Sequence, residues 1–139
     1  MPLESIAADD EEVKVSIAQY RGGRDAAISY TFDDGLLEQY TLVFPELEKR
    51  NIKATFAVNG GWMGCISAKK VCMSWEQARE MAQAGHEITN HGWMHKNLTK
   101  LVGEERRFEI QHNDTVFLSK QVYFRVLIFI RETGKMRRP

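Results

Sequence analysis

The sequence predicts an α/β fold in which parallel strands are joined by crossover helices. Three observations carry this. Short apolar runs that read as strands alternate with helical segments, in the order strand, helix, strand, helix, strand, helix, strand, and such alternation implies parallel pairing. Turn-forming residues, above all Asp33-Asp34-Gly35 and Gly85, punctuate the segments. The two strings richest in chemistry, Thr31-Phe32-Asp33-Asp34-Gly35 and His91-Gly92-Trp93-Met94-His95, each follow a strand-like run. The C-terminal ends of strands are where α/β proteins gather their sites.

The elements follow in order. Residues 1–12 read as a flexible acidic leader, without the basic start and apolar run of a secretory signal. Residues 13–139 read as one domain. Residues 13–20 suggest a short edge strand, and Arg21-Gly22-Gly23-Arg24-Asp25 a turn. Residues 26–32 form a strand of apolar and aromatic residues. Residues 36–51 follow as a helix, because Leu37, Tyr40, Phe44 and Leu47 recur at three- and four-residue steps; Pro45 kinks it or splits it. Residues 53–58 are the next strand, and a long loop runs from Asn59 to Met73. Ser74 caps a helix, with Gln77 completing a capping box. Trp75, Ala78, Met81 and Ala82 make its buried face and Gly85 stops it. Residues 86–90 are a third strand. Residues 104–120 are charged and helical with a loose apolar period, residues 122–130 are a candidate fourth strand, and residues 131–139 form a basic tail.

Composition narrows the function. Of the 139 residues, 43% are hydrophobic and 27% charged, which suffices for one core. The 19 basic and 19 acidic residues cancel, so net charge gives no argument for nucleic acid or an anionic membrane surface. A neutral or weakly charged substrate fits. No apolar run is long enough to span a membrane, since residues 122–130 are few and interrupted by Arg125. Without a signal the chain reads as cytoplasmic as given, and an exported form that has lost its signal would read the same, so the compartment stays open. Cys65 and Cys72 lack the spacing of a zinc ribbon and read as ordinary thiols, or as a local disulfide in an oxidising compartment.

The chemistry sits in the two strings. Two adjacent carboxylates repel unless one is protonated or a cation neutralises them. A divalent metal on one of them removes the conflict and leaves the other as a general base. A plain turn, with Asp and Gly chosen for backbone reasons, explains the same three letters. His91 and His95 are four apart, so one helical turn would put both imidazoles on one side, a common zinc-binding spacing. Two loop histidines of no special role are the alternative. The two strings together point to a metal-dependent hydrolase.

Through Ile28-Ser29-Tyr30-Thr31-Phe32-Asp33-Asp34-Gly35, Lys53-Ala54-Thr55-Phe56 and Gly85-His86-Glu87-Ile88-Thr89-Asn90-His91, the sequence resembles the polysaccharide deacetylase family, carbohydrate esterase family 4, over residues 26–101. The resemblance implies part of a deformed β/α barrel, of which this chain is the N-terminal part. It implies that Asp33 is the catalytic base and that Asp34, His91 and His95 hold a divalent metal, zinc first and cobalt or another ion next. The reaction would then be hydrolysis of an acetyl group from an acetylated sugar. His86 matches the family as a structural histidine, and His112 reads as a helix-surface residue. Trp93, between the two histidines, is the candidate substrate contact, ahead of Trp62 and Trp75. The family commonly carries Ser or Thr where Gly92 stands, and its later motifs bring an orienting Arg and a general-acid His. Two further expectations follow. A non-catalytic metal- and glycan-binding remnant is the alternative function. The chain is a fragment of a longer enzyme, a truncated product or one piece of an assembly, and in the last two cases the incomplete barrel is expected to self-associate into a homo-oligomer through exposed strand edges.

Overall fold

The computed structural model describes residues 16, 17 and 19–122. Three parallel strands stand in the order β1 (Thr31–Asp33), β2 (Thr55–Val58), β3 (Glu87–Asn90). Thr31 pairs with Thr55 and Asp33 with Ala57, while Phe56 pairs with Ile88 and Val58 with Asn90. Helical crossovers join consecutive strands, as the alternation predicts. β2 is the middle strand; its Phe56, Ala57 and Val58 are fully buried, as a parallel strand covered on both faces requires.

The first crossover differs from the expected single helix. A π-helical turn, Gln39–Val43, runs into α1 (Phe44–Lys49). The cause is Pro45, which has no N–H for the α-helical ladder. Phe44 N–H instead reaches the Gln39 carbonyl, five residues back.

The second crossover is α2 (Trp75–Gln83), and its predicted signals are present. The Ser74 hydroxyl accepts from Gln77 N–H, and the Gln77 carboxamide accepts from Ser74 N–H. Ala78 and Met81 are buried, and Trp75 and Ala82 pack on the core with Phe56, Val58, Met73, Ile88 and Phe117. The third helix, α3 (Gly103–Ser119), follows β3.

The strands are shorter than the sequence suggests. β1 begins at Thr31: residues 26–30 are exposed, and among the described residues their one ladder bond is from Thr55 N–H to the Tyr30 carbonyl. Of the proposed edge strand over 13–20, residues 16, 17, 19 and 20 are not extended into a ladder. The rest of that segment, the leader, the fourth strand past Val122 and the basic tail lie outside the described residues. Among the described residues no helix is long and apolar enough to cross a membrane.

His86 takes the structural place expected of it. Its ring is buried before β3, its Nδ1 accepts from Ala54 N–H at 3.2 Å, and its Nε2 lies 2.9 Å from Glu48 on α1. The acceptor role of Nδ1 assigns the proton to Nε2, aimed at the carboxylate. Lys53 first, and His86 second, hold Glu48 below the usual carboxylate range.

Candidate metal centre

Asp33 is the last residue of β1, and Asp34 is the first beyond it. Neighbours on a strand point to opposite faces. The backbone breaks that rule here, because Asp34 has a φ of 80° and Gly35 one of 70°. Gly35 is needed twice over: its φ is left-handed, and a Cβ there would meet Val58 at 3.2 Å. The Asp34 carboxylate is thereby carried toward the end of β3. Its Oδ1 lies 3.6 Å from His91 Nε2 and 3.5 Å from His95 Nε2. The Asp33 carboxylate is not in this cluster. Asp33 is exposed, and its carbonyl, not its side chain, accepts from Gln39.

The two histidines meet without the helical turn that their spacing suggests. Residues 91–97 form a loop. His91 N–H bonds the Val58 carbonyl at 3.1 Å, which fixes the loop's start on β2. Gly92 then has a φ of 89° and His95 one of 55°, and these left-handed steps return the chain on itself. The rings end 5.0 Å apart. The His91 side chain is 5% exposed and that of His95 46%. Among the described residues four that are not glycine have positive φ: Asp34, Asn51, His95 and Gln121. Asn51 and Gln121 follow the ends of α1 and α3, where such a residue stops a helix. No helix end accounts for Asp34 and His95, both members of the cluster, and strain of this kind gathers at functional sites.

A set of buried polar residues supports the loop, and the sequence reading missed all of them. Asn59 donates to the carbonyls of His91 at 2.7 Å and Gly92 at 3.1 Å. Asn90 accepts from Gly92 N–H at 2.7 Å. Asn113 on α3 donates to Asn90 at 2.7 Å and to the Gly92 carbonyl at 3.0 Å, and accepts from Gly60 N–H at 3.0 Å. Glu109, one turn earlier, accepts Met94 N–H. The bracing that a Ser or Thr after His91 would provide thus comes from asparagines bonded to the main chain of Gly92. One signal for these residues was present. Glu109, Asn113 and Phe117 recur every four residues on α3, and all three are buried. Because two of them are polar, a search for an apolar period finds only a loose one.

The loop from Asn59 to Met73 contributes two more neighbours. Lys70 Nζ lies 3.4 Å from Asp34 Oδ2 and 3.4 Å from the centre of the Trp62 ring, a cation–π contact. Trp62 in turn lies 5.2 Å from the His95 ring. Trp93 turns its edge to His112 at 4.4 Å and lies over Gly60, where a Cβ would come within 2.8 Å of its ring. His112 also stacks on Phe108, so it is a half-buried part of α3. Cys65 and Cys72 are free thiols with sulfurs 3.2 Å apart, and burial first, then Cys65, pushes the Cys72 thiol up to about 12.

The donor set fits a divalent cation. One carboxylate oxygen and two imidazole nitrogens lie within 4.8 Å of one another, the one such cluster among the described residues. Separations of 3.5 and 3.6 Å exceed a hydrogen bond. They are close to the roughly 3.3 Å between two ligands held about 2.0–2.1 Å from a tetrahedral centre. Three protein ligands leave a position open for a water or substrate.

Comparison with known proteins gives the family and the fold. A family profile described as polysaccharide deacetylase matches residues 21–129. The chain is 35% identical over 98 residues to the poly-beta-1,6-N-acetyl-D-glucosamine N-deacetylase of Escherichia coli strain K12, covering 57% of this chain and 15% of that protein. It is 34% identical over 86 residues to a peptidoglycan-N-acetylglucosamine deacetylase of Bacillus cereus, covering 61% and 28%. Among solved structures it is similar to the Streptococcus pyogenes deacetylase PplD in complex with acetate, at 27% identity and a TM-score of 0.62, covering 71% of this chain and 42% of that one. The chain therefore spans less than half the length of each of these relatives.

Proposed function

This chain belongs to the polysaccharide deacetylase family, and on that premise we propose that it carries the metal half of an active site that removes acetyl groups from an acetylated sugar. Its three parallel strands and their crossovers are part of the deformed β/α barrel of that family. The observation that supports the reading is the convergence of Asp34, His91 and His95 at strand ends, one residue from a second carboxylate. These three hold the cation, with zinc first and cobalt or another divalent ion as alternatives. When bound, the cation supplies Lewis acidity toward a water and an acyl carbonyl.

Asp33 serves as the base. It stands at the end of β1, exposed and outside the donor cluster, so its carboxylate is available to take a proton from the attacking water. The water oxygen bonds to the acyl carbon, the C–N or C–O bond to the acetyl group breaks, and the proton taken by Asp33 goes to the leaving nitrogen or oxygen, giving acetate and a free amine or hydroxyl on the sugar. The peptidoglycan and poly-N-acetylglucosamine deacetylases among the relatives make an N-acetylated glycan the first substrate to try. Trp62, in contact with His95 and with Lys70 over its ring, is the second aromatic residue after Trp93 for contact with a sugar. Trp62→Ala is expected to raise KM for an acetylated chitooligosaccharide by about ten-fold while kcat changes little. An unchanged KM would remove Trp62 from the substrate path.

One observation favours a second reading, binding of metal and glycan without turnover. Of the four histidines, His91 and His95 are in the cluster, His86 is buried against Glu48, and His112 is packed between Trp93 and Phe108. Among these four, each ring is engaged elsewhere, and none is placed as a general acid for the leaving group. Bound zinc or cobalt and released acetate, measured together on the purified chain, separate the readings. Stoichiometric metal with acetate release supports the deacetylase, and metal without acetate supports the binding form. Absence of metal binding overturns both.

A further inference from the structure

We propose that Glu109 is the positioning residue that sets His95 against Asp34, an inference that rests on the metal-centre reading above. Glu109 lies in the middle of α3, 1% exposed. It takes two consecutive peptide N–H groups from the histidine loop: its own carbonyl accepts from Trp93 at 2.9 Å, and its carboxylate Oε2 accepts from Met94 at 2.9 Å. The next residue is His95.

His95 needs such support from its backbone. Its side chain is 46% exposed, and among the described residues its ring contacts are His91, Trp62 and the Asp34 carboxylate. No packed core holds it. Its φ of 55° is also one that an unsupported loop would leave. Fixing the two preceding peptides fixes where the His95 Cα starts and hence where its Nε2 ends, 3.5 Å from Asp34.

Stability alone does not explain a carboxylate at this position. Its second oxygen, Oε1, is buried without a hydrogen bond, and its nearest cation, Lys96 Nζ, is 4.0 Å away. A buried carboxylate so poorly satisfied is unfavourable next to an apolar side chain of similar size. What an apolar side chain lacks is the acceptor for Met94 N–H. The carboxylate also lies beside Gly92, where a Cβ would sit 3.5 Å from Oε2.

The test uses Glu109→Leu and Glu109→Gln in the full chain. Zinc and cobalt affinity are read by competition with a chromophoric chelator, the site geometry by the visible spectrum of the cobalt form, and the fold by thermal unfolding without metal. Glu109→Leu is expected to bind about ten- to a hundred-fold more weakly, with an altered cobalt spectrum, while the metal-free protein melts no lower than the parent. Glu109→Gln keeps an oxygen for Met94 N–H and is expected to bind like the parent. Parent-like binding by Glu109→Leu overturns the inference, and so does an equal loss in both variants. If Glu109→Leu does not fold, Glu109→Gln decides: slow Met94 amide exchange with parent-like affinity supports the inference, and a ten-fold loss overturns it. A parent chain that binds no metal sinks the metal-centre reading instead. The His95 imidazole NMR signals then carry the decision, and signals unmoved by Glu109→Leu overturn the positioning role.

Discussion

Asp34→Asn is expected to weaken zinc or cobalt binding by at least about a hundred-fold, more than the ten- to hundred-fold typical of residues one step removed from a metal. Asparagine is the informative replacement. Asp34 holds a φ of 80°, a conformation that Asn tolerates and Ala does not, so Ala would mix loss of a ligand with backbone strain. Asn keeps the shape and one oxygen but removes the charge that a divalent ion and Lys70 both face. Unfolding in the presence of metal reads the loss directly. An ion present at a hundred times its dissociation constant stabilises the native chain by about 2.7 kcal/mol, a rise in midpoint on the order of 10 °C for a domain of this size. The parent is expected to show that rise and Asp34→Asn is expected to lose it, with the metal-free midpoints alike. A variant that keeps the full rise would show that the ion binds elsewhere. Loss of metal and of acetate release together fits the deacetylase, whereas loss of metal from a chain that never released acetate fits the binding form.

The difference between what the sequence disclosed and what it hid follows the reach of the interactions. The capping box of Ser74 and Gln77 and the stop at Gly85 are contacts within a few residues, and the helix between them stands where they place it. The Asp33-Asp34-Gly35 and His91–His95 strings were visible because they sit at strand ends, and strand ends follow from alternation of elements. The route by which His91 and His95 meet was not visible. The spacing suggested a helical turn, but the turn is a loop whose shape is dictated by Asn59, Asn90, Glu109 and Asn113. Asn59 and Asn113 lie 32 and 21 residues from the loop atoms they bond, and no local pattern reports such pairings. Lys70 reaches Asp34 across 36 residues from a loop without periodicity. The π-helical turn before Pro45 was half legible: the proline announced a defect, but whether the chain would kink, split or widen depends on which carbonyl the Phe44 N–H finds.

Asp33→Asn is expected to separate chemistry from binding. The two carboxylates are neighbours in sequence, yet only Asp34 belongs to the donor cluster. Asn at position 33 conserves the shape and leaves the Asp33 carbonyl, which receives the Gln39 side chain, untouched. The fold and the cation are therefore expected to remain: metal affinity within a few-fold, midpoint unchanged. What disappears is the group that takes a proton from the water, and a positioned base is worth about 10²–10⁴ in rate. Acetate release by a chain that turns over should fall by that factor in kcat with little change in KM, because the lost interaction belongs to the transition state. The contrast with Asp34→Asn is the point of the pair. One variant keeps metal and loses turnover, and the other loses metal first. Should Asp33→Asn keep its turnover, the base lies elsewhere. Should it lose metal as Asp34→Asn does, the two carboxylates share the ion and the division of labour between them is wrong.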